Sequence, residues 1–160
     1  MDEVIRIGIE EYAVSRKPVV LRTAGLGSCV GVIIYDQERG LSSMAHVMLP
    51  DSAISRDITV EVGKFADTAV TELVKRLRQG GAIRLRAKIA GGAQMFQFKY
   101  EHESMRIGER NIAAVKAALQ QAKIPLVAED VGGTNGRTIE FHSSSGRLVI
   151  RTVNVGTLEI

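Results

Sequence analysis

Short apolar runs separated by turn residues dominate the first third of the chain. Their lengths and their Gly, Pro, Asp and Arg-rich boundaries predict β-strands over residues 5–10, 19–23, 30–35 and 42–49. Within the last of these runs, alternation places Met44, His46 and Met48 on one face. The first third is therefore expected to form sheet.

A helical period follows. Residues 60–79 carry an apolar face at helical spacing, and Gly80 and Gly81 end the pattern. A second helix is predicted over residues 110–123, with Pro125 just beyond its end.

Further strands are predicted around the second helix and after it, over residues 84–90, 126–130, 138–142 and 147–153. The last two are joined by a hairpin-like turn at residues 143–146. About eight strands with two amphipathic helices indicate an α+β domain in which helices cover sheets.

Composition fits this picture. A chain of 160 residues with 45% hydrophobic content can bury a core as one domain over residues 1–160, and 16 glycines against 3 prolines favour a turn-rich sheet fold. The net charge of +3 comes from 21 basic and 18 acidic residues that are scattered along the chain. Such a small surplus, without interleaved aromatic residues, argues against nucleic-acid binding.

Cysteine usage and hydropathy limit the kinds of site and the cellular location that we expect. The single cysteine excludes an internal disulfide and a cysteine-rich zinc site, and no histidine pair has helical metal-ligand spacing, so no metal is expected. No apolar run is long enough to span a bilayer, and the N-terminus does not resemble a secretory signal. We therefore expect a cytoplasmic protein without membrane insertion.

The only cysteine is the leading candidate for chemistry. Cys29 lies in the glycine-rich segment 25–31, directly before a predicted buried strand, where the sulfur is left uncrowded. A thiol needs a base to form the nucleophilic thiolate, and His46, on a nearby strand, can supply one. The competing interpretation is an inert packed thiol and a buried structural histidine; His102 and His142 are expected at the surface.

Two glycine-rich segments are expected to have structural roles. Residues 132–137 lack the Lys-Ser/Thr ending of a phosphate-binding loop and precede a strand, so a structural or site-rim loop is favoured over a phosphate cradle. Gly91 and Gly92 lack a dinucleotide-binding fingerprint, and close backbone packing beside the site is their expected role.

With these residues in place, the chain resembles the CheD family, the chemoreceptor glutamine deamidases of chemotaxis. The resemblance covers nearly the whole chain and is carried by ordered motifs at residues 23–31, 45–52, 87–93, 107–111 and 130–137. It implies an αββα sandwich of two mixed β-sheets flanked by helices, like the catalytic domain of cytotoxic necrotizing factor toxins.

The resemblance also implies residue roles. Cys29 is then the nucleophile, His46 the general base and acid, and Thr23 the residue that orients the imidazole. Gly27 and Ser28 are expected to bind substrate, with backbone N–H groups near Ser28 and Cys29 as an oxyanion hole. This scheme requires no cofactor.

The implied reaction converts glutamine side chains of methyl-accepting chemoreceptors to glutamate through a thioester, with release of ammonia. A weak glutamyl methylesterase activity is expected from the same chemistry. The resemblance further implies binding to CheC, a phosphatase whose activity the family raises. Phe96 and Phe98 are either core residues or an exposed contact for such a partner.

Two other functions compete with deamidation. One is a regulatory binding module that stimulates CheC, and the other is a small-molecule amidase. The matching Thr23, Cys29 and His46 positions favour the deamidase.

Overall fold

The structure is a computed structural model that describes residues 2–54, 61–95 and 106–160. Within them the chain forms strands, two helices and two short 3-10 turns, Ser52–Ile54 and Val62–Lys64. The helices are α1 (Ala66–Gln79) and α2 (Ile107–Gln121). The strands are β1 (Glu3–Arg6), β2 (Tyr12–Ser15), β3 (Val19–Leu26), β4 (Val30–Asp36), β5 (Leu41–Val47), β6 (Arg86–Gly91), β7 (Leu126–Val131), β8 (Arg137–His142), β9 (Arg147–Thr152) and β10 (Gly156–Glu159).

The strands form two mixed sheets. The first has the order β1-β3-β8-β9-β10 and the second has the order β2-β5-β4-β6-β7. Among the strands of the described residues, β1 with β3 and β6 with β7 pair in parallel, and the other pairs are antiparallel. The prediction of an α+β fold with two mixed sheets is confirmed.

The two sheets pack face to face over an apolar layer. Ile33 and Met44 of the second sheet meet Leu21, Ile139 and Phe141 of the first, and all are buried. The contact is close, because a Cβ atom added at Gly31 would lie 2.5 Å from the Ile139 side chain. Such tight packing fixes the position of one sheet against the other.

The other face of the second sheet is covered by helices. Apolar side chains of α1 and α2, including Leu73 and Val115, share a core with outward-facing residues such as Val32 and Ala45. Both described helices contact the second sheet and each other. The described residues therefore form three layers, in the order helices, second sheet, first sheet. An αββα sandwich has helices on both outer faces, and both described helices lie on the face formed by the second sheet. No helix in the described ranges is long and apolar enough to cross a membrane.

Several boundaries differ from the predicted ones. Helix α1 begins at Ala66 rather than near residue 60, because Phe65 is extended (φ −110°, ψ 142°) and bridges Leu49. Strands β2 and β10 were not predicted. Strand β10 is exposed throughout and β2 is mostly half-buried, so neither carries the clean apolar alternation that identifies a strand.

Candidate active site

A hydrogen bond between Thr23 and His46 joins the two sheets. Thr23 lies on β3 and His46 on β5, and the Thr23 Oγ1 to His46 Nδ1 distance is 2.7 Å. The Thr23 hydroxyl donates to the Ile7 carbonyl at 2.6 Å, so its oxygen is left to accept from Nδ1–H. This chain of contacts selects the imidazole tautomer whose Nε2 carries the lone pair.

The backbone of His46 is hydrogen-bonded to the segment that directly precedes β2. Its N–H donates to the Glu11 carbonyl at 3.0 Å, and its carbonyl accepts from the Glu10 N–H at 3.1 Å. The side chain is fully buried, and burial lowers the pKa of the imidazole. Nε2 makes no hydrogen bond with any described residue, the Cys29 thiol included, so its lone pair is available as a base.

Cys29 lies on the same face of the second sheet as His46. Gly31 of β4 pairs with His46 of β5, and Cys29 stands two residues before Gly31. Side chains two residues apart in a strand share a face, so extending the β4 register by one residue places Cys29 diagonal to His46, just beyond the end of the strand. The half-buried thiol packs against the layer between the sheets. Thr23 and His46 are thus in direct contact, and Cys29 lies on their side of the second sheet.

The thiol is held in its protonated form. Burial raises the pKa of Cys29, its own backbone N–H lowers the pKa, and the nearby Glu10 carboxylate raises it. Since burial also lowers the pKa of His46, both groups are neutral near pH 7. The arrangement is therefore a thiol with a neutral base, and the proton must move to the imidazole when the sulfur attacks.

The turn that carries Cys29 packs against Gly91 and Gly92. The Gly92 N–H donates to the Cys29 carbonyl at 2.8 Å. A Cβ atom at Gly91 would lie 2.3 Å from the same carbonyl oxygen, and Gly91 has a φ of +113°. Only glycine fits there. The prediction of close backbone packing at this pair is confirmed.

The glycine-rich segment 132–137 borders the same turn. The Gly132 N–H donates to the Gly91 carbonyl, and the Gln94 N–H donates to the Gly133 carbonyl, both at 2.9 Å. Arg137 pairs with Asp130 at 3.2 Å. These contacts fit the structural or site-rim loop that the sequence indicated. No group of three His, Cys, Asp or Glu side chains that could hold a metal occurs in the described ranges.

Sequence reasoning missed two residues of this site. Asn111, in α2, donates from Nδ2 to the Ser28 carbonyl at 2.9 Å and to the Met48 carbonyl at 3.0 Å. Glu10 acts on the thiol through its charge. Asn111 falls within a motif that carried the family resemblance, but nothing in the helical pattern connects it to Cys29. Glu10 had no signal at all.

The remaining candidates are placed differently. Gly27 lies beneath Met95, where a Cβ atom would be 3.1 Å from Met95 Cγ. The substrate-binding roles of Gly27 and Ser28 stay predictions. His142 ends β8 and its side chain is 39% exposed, as expected of a surface residue. Phe96, Phe98 and His102 lie outside the described residues.

Comparisons with known proteins show the family of this chain. A family model described as CheD, chemotactic sensory transduction, matches residues 48–152. A protein named chemoreceptor glutamine deamidase CheD from Halalkalibacterium halodurans is 51% identical and aligns over all of both chains. Proteins of the same name from Bacillus licheniformis and Bacillus subtilis are 48% and 46% identical, over 98% and 96% of this chain and 95% and 93% of their own lengths.

These matches first define a class: the chain is a chemotactic signal-transduction protein. More narrowly, it belongs to the CheD family.

Proposed function

We propose that this protein is a chemoreceptor glutamine deamidase that uses Cys29 as its nucleophile. The observation that carries the proposal is the Thr23–His46 hydrogen bond, which leaves a buried Nε2 without a partner on the face that carries the thiol. The relatives named above supply the substrate class. The reaction is hydrolysis of a side-chain amide.

The first half of the reaction forms a thioester. His46 Nε2 accepts the thiol proton as the sulfur of Cys29 attacks the amide carbon, and the carbonyl oxygen becomes an oxyanion. Backbone N–H groups near Ser28 and Cys29 stabilise that charge. The imidazolium then donates its proton to the departing nitrogen, the C–N bond breaks, and ammonia leaves. Thr23 holds the imidazole in orientation throughout.

The second half restores the thiol. Water attacks the thioester carbon while His46 Nε2 accepts a proton from the water. The C–S bond breaks, the sulfur regains a proton from the imidazolium, and glutamate is released. A glutamyl methyl ester can follow the same route with methanol as the leaving group, so we propose a weak methylesterase activity as well.

The burial of the three residues suits a protein substrate. Thr23 and His46 are buried and Cys29 is half-buried, so Cys29 is the residue of the three that retains solvent exposure. A glutamine that projects from a folded receptor surface can reach it without unfolding of the receptor. Free glutamine would lack the contacts that the surrounding surface makes with a protein.

CheC binding and a cytoplasmic location stay predictions from the sequence. Under the alternative of a purely regulatory CheC-binding module, Cys29→Ala would retain phosphatase stimulation and the thiol would have no role.

The test is mass spectrometry of chemoreceptor peptides after incubation with the wild-type protein and with Cys29→Ala. We expect the wild type to convert receptor glutamines to glutamates and the variant to lose activity by about 10⁶-fold, because a missing nucleophile removes the covalent route. Ser145→Ala, an exposed hydroxyl in the β8–β9 turn, serves as the control and should act like the wild type. Deamidation by Cys29→Ala at the wild-type rate would refute the proposal.

A further inference from the structure

Strands β4 and β5 separate directly beside the nucleophile. The pairing of these two strands ends with Val30 opposite Val47, and the next residues beyond that pair are Cys29 on one side and Met48 on the other. Met48 turns away, and its N–H donates to the Lys64 carbonyl at 2.9 Å. His46 is within the paired part of β5, whereas Cys29 lies one residue beyond the end of β4, where backbone pairing no longer sets its distance from β5.

Asn111 takes over this connection with its side chain. Its Nδ2 donates both to the Ser28 carbonyl, in the peptide that contains the Cys29 N–H, and to the Met48 carbonyl, two residues after His46. Both partners are acceptors, so the amide must present its NH₂ group to them.

The burial of Asn111 is informative. The residue is fully buried, and its Oδ1 has no hydrogen-bond partner among the described residues. An unsatisfied buried oxygen is destabilising, and an apolar side chain of the same shape, such as leucine, would avoid that cost. What leucine could not supply are the two hydrogen bonds from Asn111 Nδ2, so these bonds account for an amide at this position.

Helix α2 holds Asn111 rigidly against the site. A Cβ atom at Gly108 would lie 2.6 Å from the carbonyl oxygens of Gly92 and Ala93, so the start of the helix is in close contact with that turn. Gly92 and Ala93 in turn donate their N–H groups to the carbonyls of Cys29 and Gly27. The donor is therefore fixed relative to the segment that it binds.

We propose that Asn111 is a positioning residue, which ties the Ser28–Cys29 peptide to the end of the His46 strand and thereby sets the approach of the thiol to Nε2. This inference rests on the proposed function for its meaning in catalysis. A donor on the Ser28 carbonyl also orients and polarises the same peptide unit, whose N–H is a candidate oxyanion donor.

The test uses Asn111→Leu, which keeps the branched shape and removes both donors without adding charge, and Asn111→Ala as a second variant. We expect kcat for receptor deamidation to fall by about 10- to 100-fold, the range typical of residues that orient catalytic groups, with little change in KM. Iodoacetamide alkylation should report Cys29 alone, since it is the only cysteine. The pH profile of the alkylation rate of Cys29 should shift to higher pH in both Asn111 variants.

Ser143→Ala is the matched control. The buried Ser143 accepts a hydrogen bond from the Val19 N–H at 2.9 Å, at the opposite end of β3 from the site. This variant should lower Tm and leave kcat and the alkylation profile unchanged.

An unchanged kcat or an unchanged alkylation profile in a folded Asn111 variant would overturn the proposal. If neither variant folds, Asn111 serves the fold, and the proposal is also overturned. Alkylation needs no amide substrate, so a wild-type protein that fails to deamidate receptors refutes the proposed function while the alkylation profile still decides the role of Asn111.

Discussion

The Thr23 hydroxyl shows how one donor can determine the chemistry of a neighbouring ring. Because it donates to the Ile7 carbonyl, it can only accept from His46, and the proton of the neutral imidazole is placed on Nδ1. A residue at the same position without an oxygen would leave the tautomer undetermined. The base is thus prepared before any substrate arrives.

The neutral thiol and imidazole lead to a prediction on pH dependence. Burial lowers the pKa of His46 below its ordinary 6.5 and raises the pKa of Cys29 above its ordinary 9.0. His46 must be unprotonated to accept the thiol proton, so kcat/KM should rise with a midpoint below pH 6.5 and stay level to above pH 9.0. Steady-state deamidation of a receptor fragment across this range measures the profile.

An acidic midpoint above pH 6.5 would contradict this description. It would mean that negative charge near the imidazole outweighs its burial. A preformed thiolate–imidazolium pair would instead lose activity between pH 6.5 and 9.0, as the imidazolium gives up its proton.

At the residue scale, local pattern in the sequence pointed to some members of the candidate site and not to others. Cys29 and His46 were found from a glycine-rich turn and from strand alternation, whereas Thr23 came from family resemblance alone. Asn111 and Glu10 were missed because their contacts with the site join segments that are distant in the chain. Such contacts follow from packing and not from any local period.

Among the elements, β6 and the turn after it position the nucleophile most directly. Gly91→Ala should reduce both stability and activity, because the new Cβ atom would meet the Cys29 carbonyl at 2.3 Å and the backbone would have to move. We expect kcat to fall by about 100-fold, the effect of roughly an ångström of misplacement. Receptor deamidation and a thermal melt measure the two effects.

Gly81→Ala provides the control for backbone strain. Gly81 has a φ of +101°, close to that of Gly91, but a Cβ atom there would meet nothing within 4 Å. It should cost about 1–3 kcal/mol of stability from conformation alone and leave kcat intact. Equal kcat values for the two variants would show that contact with Cys29 is unimportant.

Element prediction was accurate where a period was strong. Strands β3, β4 and β5 and both helices were found, with ends displaced by a few residues. The early start assigned to α1 failed because the contact between Phe65 and Leu49, which holds the chain extended, is tertiary. Strands β2 and β10 are stabilised by pairing with β5 and β9, and their own sequences lack a clear pattern.

In the whole molecule, the site exists only when the layers are docked. Thr23 comes from the first sheet, Cys29 and His46 from the second, and Asn111 from the helix layer. The two apolar cores pack against opposite faces of the second sheet. We therefore expect urea to unfold the chain as one cooperative unit.

Circular dichroism, deamidase activity and Cys29 alkylation should report the same urea midpoint. Loss of activity well before loss of secondary structure would show instead that the layers separate while the sheets persist, and that the chain is not a single cooperative domain.

The protonated state of the Cys29 sulfur has a consequence for survival in an oxidising environment. Peroxide reacts with thiolates far faster than with thiols, so a sulfur whose raised pKa keeps it protonated is a poor target between turnovers. Glu10 strengthens this protection by adding negative charge nearby. The enzyme would thus resist sulfenic acid formation at rest, with the sulfur becoming vulnerable only during the brief interval in which it is ionised.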